Sequence, residues 1–254
     1  ISARVAWDHR DIIVSTLDSL LKPSLMLITI DSAFAGAEKL SETTLYYQDG
    51  QYFTPAKRLD PIRFREDGLY YEVIPGKGQK SGFYCDQREN RKAIEPYAKD
   101  AVVLDGCSYT GAFSLHALRA GSKSVDLFDS SDPALRQALV HVHINQDLKT
   151  IAEDSRSKVT TTVCDIFEQM RVIPSDHYDL MILDPPKLAQ TKAQAEGAQK
   201  AYKDLNRLAM QKIKNGGIIA TFSCSASIRS EQLRMILAWS AKDANVEIQI
   251  LKTL

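Results

Sequence analysis

The chain has 254 residues, 44% of them hydrophobic, enough for one large core or a medium domain with a smaller partner. Its 32 basic and 32 acidic residues cancel, so no strongly positive field draws it to a polyanion; nucleic-acid binding would need a local patch or further protein. No stretch approaches the roughly 18 apolar residues of a membrane span and no signal-peptide pattern is visible, so the expectation is a globular cytoplasmic protein.

The chain opens at Ile1, not at methionine, and reads as a piece of a longer protein. Ile13, Leu17, Leu20 and Leu21 recur at helical spacing, followed by strand patterns bent at Asp49-Gly50 and Asp67-Gly68. Asp-Gly between alternating segments signals a hairpin, because both turn residues must tolerate positive φ. A small α+β domain is expected at about 1–75, joined through Pro75-Gly76-Lys77-Gly78-Gln79-Lys80 to a second domain at 76–254.

From residue 101 strand and helix signals alternate. Short apolar runs at 101–104, 125–128, 159–163, 178–183, 218–222 and 246–251 read as strands. Between them lie helical stripes, the clearest being Leu135, Ala138, Leu139 and Val142 behind Asp132 as N-cap and Pro133 at the first helical position. Leu233, Ile236, Leu237 and Ala241 form another. The alternation predicts a doubly wound, mostly parallel α/β sheet, whose chemistry lies at the carboxyl ends of its strands.

The first of these strands runs into Asp105-Gly106-Cys107-Ser108-Tyr109-Thr110-Gly111, with a helix expected from about Ala112. Such a loop lets a ligand approach backbone and helix N-terminal amides. With two glycines in seven residues it is not the GxGxxG pyrophosphate loop. Asp129 ends the second strand, 24 residues after Asp105, at the spacing of a ribose-binding carboxylate. Asp165 follows the third strand, placed to receive an adenine amino group. An acidic, glycine-poor loop repels a pyrophosphate and suits the cationic end of S-adenosylmethionine, which is the sign argument for that donor over NAD. Strand-end capping is the plainer account of each aspartate taken singly.

Asp184-Pro185-Pro186-Lys187 follows the fourth strand and Ser223-Cys224-Ser225 the fifth. Neighbouring strands lie about 4.8 Å apart, so Asp184 and Cys224 would face one pocket. Carbon 5 of cytosine is too weak a nucleophile to take a methyl group unaided. A thiolate added to carbon 6 makes carbon 5 enamine-like, and Cys224 would be that nucleophile. Asp184 would hydrogen-bond the ring nitrogen and amino group as charge develops. Pro185 and Pro186 offer a flat apolar edge for a base. Tyr202 sits in a buried helical stripe, whereas Lys203, Asp204 and Asn206 could reach the pocket. Cys85, Cys107 and Cys164 show no CxxC spacing and read as reduced thiols of no catalytic role. His141 and His143 are two apart on a helix and point in different directions, so no metal site is expected.

Five motifs occur in order: 78–88 (GQKSGFYCDQR), 107–113 (CSYTGAF), 184–187 (DPPK), 202–206 (YKDLN) and 222–225 (FSCS). Together they resemble the bacterial large-subunit ribosomal RNA methyltransferases that make 5-methylcytosine, over about residues 40–250. The resemblance implies a class I methyltransferase fold, S-adenosylmethionine as donor, ribosomal RNA as partner, an rRNA-processing role and no membrane; a homodimer is left open. Its donor site would comprise Lys80, Phe83, Asp86, Arg88, Asp105, Ser108, Tyr109, Thr110, Gly111, Asp129, Ser130, Asp165 and Asp184. Cys224 and Asp184 would be catalytic, and Pro185, Pro186, Lys187 and Lys203 would meet the substrate. Asp105 stands where asparagine is usual, Cys85 where leucine is common, and Leu188 where phenylalanine is usual, which would weaken stacking on the base. The family's amino-terminal RNA-binding PUA domain and final hairpin strand are not in this sequence, and the expectation is a piece that binds donor yet methylates poorly. Other readings kept open are methylation of a guanine or other base nitrogen with Cys224 structural, a nicotinamide-dependent oxidoreductase, and a non-catalytic RNA-binding module.

Overall fold

The computed structural model describes residues 3–30, 35–36, 38–41, 43–55, 59–76, 82–188, 195–225 and 228–253. The chain forms two compact units: Ile1–Phe64 with Glu72–Tyr84, and Arg65–Tyr71 with Cys85–Leu254.

In the first unit, helices α1 (Arg4–Asp8) and α2 (Arg10–Leu21) precede an antiparallel sheet of β1 (Met26–Thr29), β2 (Thr44–Gln48) and β3 (Gln51–Phe53), in that order. Asp49 and Gly50 turn β2 into β3 with φ of 51° and 82°, the left-handed pair that a two-residue hairpin loop requires. Val14, Ile28 and Tyr47 form the core, with Trp7, Met26 and Leu45 around them. The expected helix over Ile13 to Leu21 is present, but Val14 carries its buried face, while Leu20 and Leu21 are 74% and 69% exposed.

A second hairpin, β4 (Ile62–Glu66) and β5 (Leu69–Val73), turns at Asp67 (φ 49°) and Gly68 (φ 91°). Its tip, 65–71, belongs to the second unit. There Asn145 imitates a strand neighbour, accepting from Tyr70 N at 2.9 Å and donating to Tyr70 O at 2.7 Å. Arg91, 1% exposed, pairs with Glu66 at 2.5 Å, and Arg88 and Lys92 converge on Asp67.

The second unit is built on five strands: β6 (Val102–Gly106), β7 (Ser124–Asp129), β8 (Val159–Val163), β9 (Leu180–Leu183) and β10 (Ile218–Thr221). Their spatial order is β10-β9-β6-β7-β8 and every pairing is parallel. Helices α3 (Arg88–Ala98), α4 (Ala112–Arg119), α5 (Asp132–Asp147), α6 (Ile166–Val172), α7 (Ala195–Lys212) and α8 (Ser230–Ala244) connect and flank them. Leu180, Met181, Ile182 and Leu183 are wholly buried, as expected for a central parallel strand covered on both faces. This is the doubly wound, Rossmann-like sheet expected from the alternation. The order of strand addition reverses between β6 and β9, so the crevice at their carboxyl ends is the topological switch point.

Two expectations change. The 246–251 run is not a strand: no described strand pairs with it, and Val246, Ile248, Ile250 and Leu251 are exposed. Period-two patterning cannot make a strand without a neighbour to take its hydrogen bonds. The α5 cap is Ser131, whose hydroxyl accepts from Ala134 N at 3.3 Å, one residue before the expected Asp132.

Candidate active site

The loop leaving β6 is held in a demanding conformation. Cys107 and Tyr109 take positive φ (63° and 48°) without being glycine, which costs backbone energy and occurs where surroundings enforce it. Several contacts do so. Ser108 N donates to Phe128 O at 3.0 Å, Tyr109 N to Asp129 Oδ2 at 2.8 Å, and His141 Nδ1 to Thr110 O at 2.9 Å. Gly111, with φ 72°, begins α4, and a Cβ there would lie 2.8 Å from the Ala138 Cβ. Phe113 stacks on Phe222, centroids 5.3 Å apart, joining α4 to the chain leaving β10.

Asp105, at the end of β6, is 1% exposed. Its Oδ2 accepts from Ser114 N at 3.1 Å and Ser114 Oγ at 2.5 Å, while its buried Oδ1 has no hydrogen-bond partner among the described residues. Burial pushes its pKa up to about 7, the nearby Asp184 and Asp129 charges adding to the rise and the Ser114 hydrogen bonds opposing it. An orphaned acceptor in a buried carboxylate is rare enough to mark a place for a donor or cation. The neighbouring Ser108 hydroxyl is likewise buried without a partner. Burial, with the surrounding carboxylates, also pushes the Cys107 thiol far above its ordinary range, which keeps it protonated and unreactive.

Asp129 closes the loop. Oδ1 accepts from Ser131 N and Oδ2 from Tyr109 N, both at 2.8 Å, with Ser130 exposed between the anchors. Asp165 is the exposed N-cap of α6, with Oδ1 accepting from Phe167 N at 2.8 Å and Glu168 N at 3.2 Å. Loop and cap contacts thus occupy both carboxylates, which sit at successive strand ends of the sheet.

At the switch point, Asp184 N donates to Gly106 O at 3.3 Å and Phe222 N to Leu183 O at 2.9 Å, so the β6, β9 and β10 ends lie side by side. Cys224 is exposed, its Sγ 3.9 Å from Pro185 O. Cys224 therefore lies beside the residue that follows Asp184. Pro185 is buried, and Pro186 and Lys187 are exposed. Leu188, which stands where the resembled family usually has phenylalanine, packs with Tyr202, Ile228 and Ile236. Tyr202 is fully buried, as its stripe predicts, and burial raises its hydroxyl pKa, with Ser223 and Ser225 beside it.

Other predicted residues are occupied elsewhere. Lys203 Nζ pairs with Asp243 at 2.6 Å, Asp204 with Arg171 and Arg207, each at 2.6 Å, and Asn206 is wholly buried. Arg88 makes a two-point contact with Asp67, at 2.8 and 2.6 Å, and Asp86 is exposed in the turn Cys85–Gln87. Phe83, in the first unit, packs edge-on against Phe64 at 4.9 Å. Lys80 lies outside the described residues.

Sequence reasoning missed two residues. His141, considered only for metal, braces the loop through Thr110. Gln87, inside a quoted motif but given no role, donates through Nε2 to both oxygens of Asp184 at 3.1 Å. Neither contact has a local signal, because the partners are 31 and 97 residues apart.

The sequence profile of the S-adenosylmethionine-dependent methyltransferases matches residues 15–245. The chain belongs to that family, which sets the nicotinamide reading aside. It is 42% identical over 197 residues to the ribosomal RNA large subunit methyltransferase I of Pseudoalteromonas translucida, covering 76% of this chain and 48% of that protein. The protein of the same name from Alteromonas mediterranea is 39% identical over 195 residues, covering 76% and 47%. The chain therefore spans about half the length of the curated relatives it matches. Among solved structures, the SMU.776 protein complexed with SAH superposes with a TM-score of 0.71 at 20% identity, covering 92% of this chain and 57% of that one. The relatives are enzymes of RNA by name; the structural likeness concerns the fold. Among the described residues no helix is long and apolar enough to cross a membrane.

Proposed function

We propose that this chain carries the catalytic part of an enzyme that forms 5-methylcytosine in large-subunit ribosomal RNA, with Cys224 as nucleophile. The observation that carries the reading is the exposed Cys224 thiol beside Asp184-Pro185 at the switch point. The names of the relatives support the ribosomal substrate.

S-adenosylmethionine supplies an electrophilic methyl group. Asp105, with its orphaned oxygen, fits the donor's cationic end, and Ser108 to Gly111, Asp129, Ser130 and Asp165 would hold the rest along the strand ends. A target cytosine flipped from its stack would lie against the exposed Pro186, since Pro185, expected to share that edge, is buried, with Lys187 facing its phosphates. The Cys224 thiolate bonds to carbon 6, and the displaced electron pair makes carbon 5 nucleophilic. Asp184 accepts from the amino group as the ring loses aromaticity. Once carbon 5 is methylated, its proton passes to a base, the carbon 6–sulfur bond breaks, and the thiolate and aromatic ring are restored. Residues 76–254 would form the transfer domain and 1–75 a small accessory one.

A transcript carrying 5-fluorocytidine tests this. Fluorine cannot leave as the proton does, so the adduct accumulates as a covalent complex on a denaturing gel. A complex formed by the wild-type chain and lost in Cys224→Ala supports the reading; no complex, or one that survives the substitution, overturns it.

A further inference from the structure

Gln87 closes the turn Cys85–Gln87 and stands at the N-cap of α3, where a side chain ordinarily accepts from the first backbone amides. It makes no such bond. Its amide nitrogen reaches instead to both oxygens of Asp184, each at 3.1 Å. Asn90, one turn further on, donates through Nδ2 to Gln87 Oε1 at 2.5 Å. That bond fixes the amide's orientation, since the carbonyl end is taken and only the NH2 end can face the carboxylate. The helix that follows is anchored by Arg88 to Asp67 and Arg91 to Glu66. The N-cap side chain of this helix is thus directed to one distant carboxylate and not to the helix's own amides.

We infer that Gln87, locked by Asn90, is a positioning residue that aligns Asp184 and commits both of its oxygens to accepting, so that the site takes a base edge that donates. This rests on the reading that Asp184 faces the target base. A carboxylate receiving a donor on both oxygens attracts the exocyclic amino group of cytosine and repels the carbonyl oxygen that uracil carries in its place. Without Gln87, Asp184 can rotate or pair elsewhere, and both alignment and discrimination are lost. Asp105 adds weight, because two carboxylates at adjacent strand ends repel unless each is held by its own donors. Ser114 serves Asp105, and Gln87 serves Asp184.

The test is steady-state transfer by the full chain to large-subunit ribosomal RNA transcribed in vitro, with calorimetric titration of S-adenosylhomocysteine alongside. Gln87→Leu is expected to lower kcat about tenfold or more while KM for RNA and the affinity for S-adenosylhomocysteine stay within about twofold. Gln87→Glu keeps the shape but sets a carboxylate against Asp184, so it should be worse than Gln87→Leu. A packing role predicts the reverse order, and that order, or a wild-type kcat in Gln87→Leu, overturns the inference. Should Gln87→Leu not fold, Asn90→Ala decides: a kcat loss at unchanged donor affinity supports the inference, and an unchanged kcat overturns it. Nucleoside analysis of the same RNA separates the two claims, since methylation of a base other than cytosine removes the underlying reading whatever the variants do.

Discussion

The sulfur of Cys224 lies 3.9 Å from the carbonyl oxygen of Pro185, a contact between chain segments that leave two adjacent parallel strands in register. Thr221 is opposite Leu183, so the residues beyond each strand emerge side by side. The geometry depends on strand register: a one-residue slip would turn the thiol to the opposite face.

The Asp105 carboxyl gives a donor-binding prediction. With its pKa near 7, it is largely neutral at pH 6 and ionised at pH 8, and the ionised form holds a cation better. Calorimetric affinity for S-adenosylhomocysteine, which keeps the ammonium, should rise over that interval in the wild-type chain and flatten in Asp105→Asn.

Stability responds to pH through two buried groups of opposite sign. Asp105, raised from 3.8 to about 7, binds more protons folded than unfolded, so its contribution declines as pH rises from about 4 to 7. His116, lowered from 6.5 to about 4 chiefly by burial, binds fewer protons folded, so its contribution improves as pH rises from about 4 to 6.5. The two oppose each other over that shared window. In Asp105→Asn, the denaturation midpoint should climb more steeply between pH 4.5 and 6.5 than in wild type, as measured by urea titration.

Gly111 is under two constraints, a left-handed φ and an approach to Ala138 that leaves no room for a Cβ. Gly111→Ala should destabilise the chain by about 1–3 kcal/mol, read as a lower thermal midpoint. Gly121 has φ 89° but open space around it, so alanine there tests the backbone cost without the clash and should be milder.

Arg91 is almost wholly buried against Glu66. Arg91→Leu leaves that carboxylate without its partner and should cost about 3–5 kcal/mol in chemical denaturation, more than the double variant with Glu66→Gln.

Much of the sheet was legible because its central strands are short apolar runs, as in 180–183, followed at their carboxyl ends by polar residues such as Asp184. Of the strand order, only the adjacency of the fourth and fifth strands was expected, and β9 does pair with β10. The 246–251 run misled because alternation records only a potential to pair. Side-chain engagement was less legible. Lys203 and Asp204 lie on a helix near the site, yet Asp243, Arg171 and Arg207 claim them, and such pairings depend on packing that no local pattern encodes. Gln87 was hidden for the same reason.

The most direct measurement is mass spectrometry of nucleosides from large-subunit ribosomal RNA incubated with S-adenosylmethionine and the full chain, wild type against Cys224→Ala. The account predicts 5-methylcytidine from the wild type and none from the variant, with S-adenosylhomocysteine affinity unchanged between them. Methyl groups on another base, or 5-methylcytidine formed by Cys224→Ala at the wild-type rate, would contradict it.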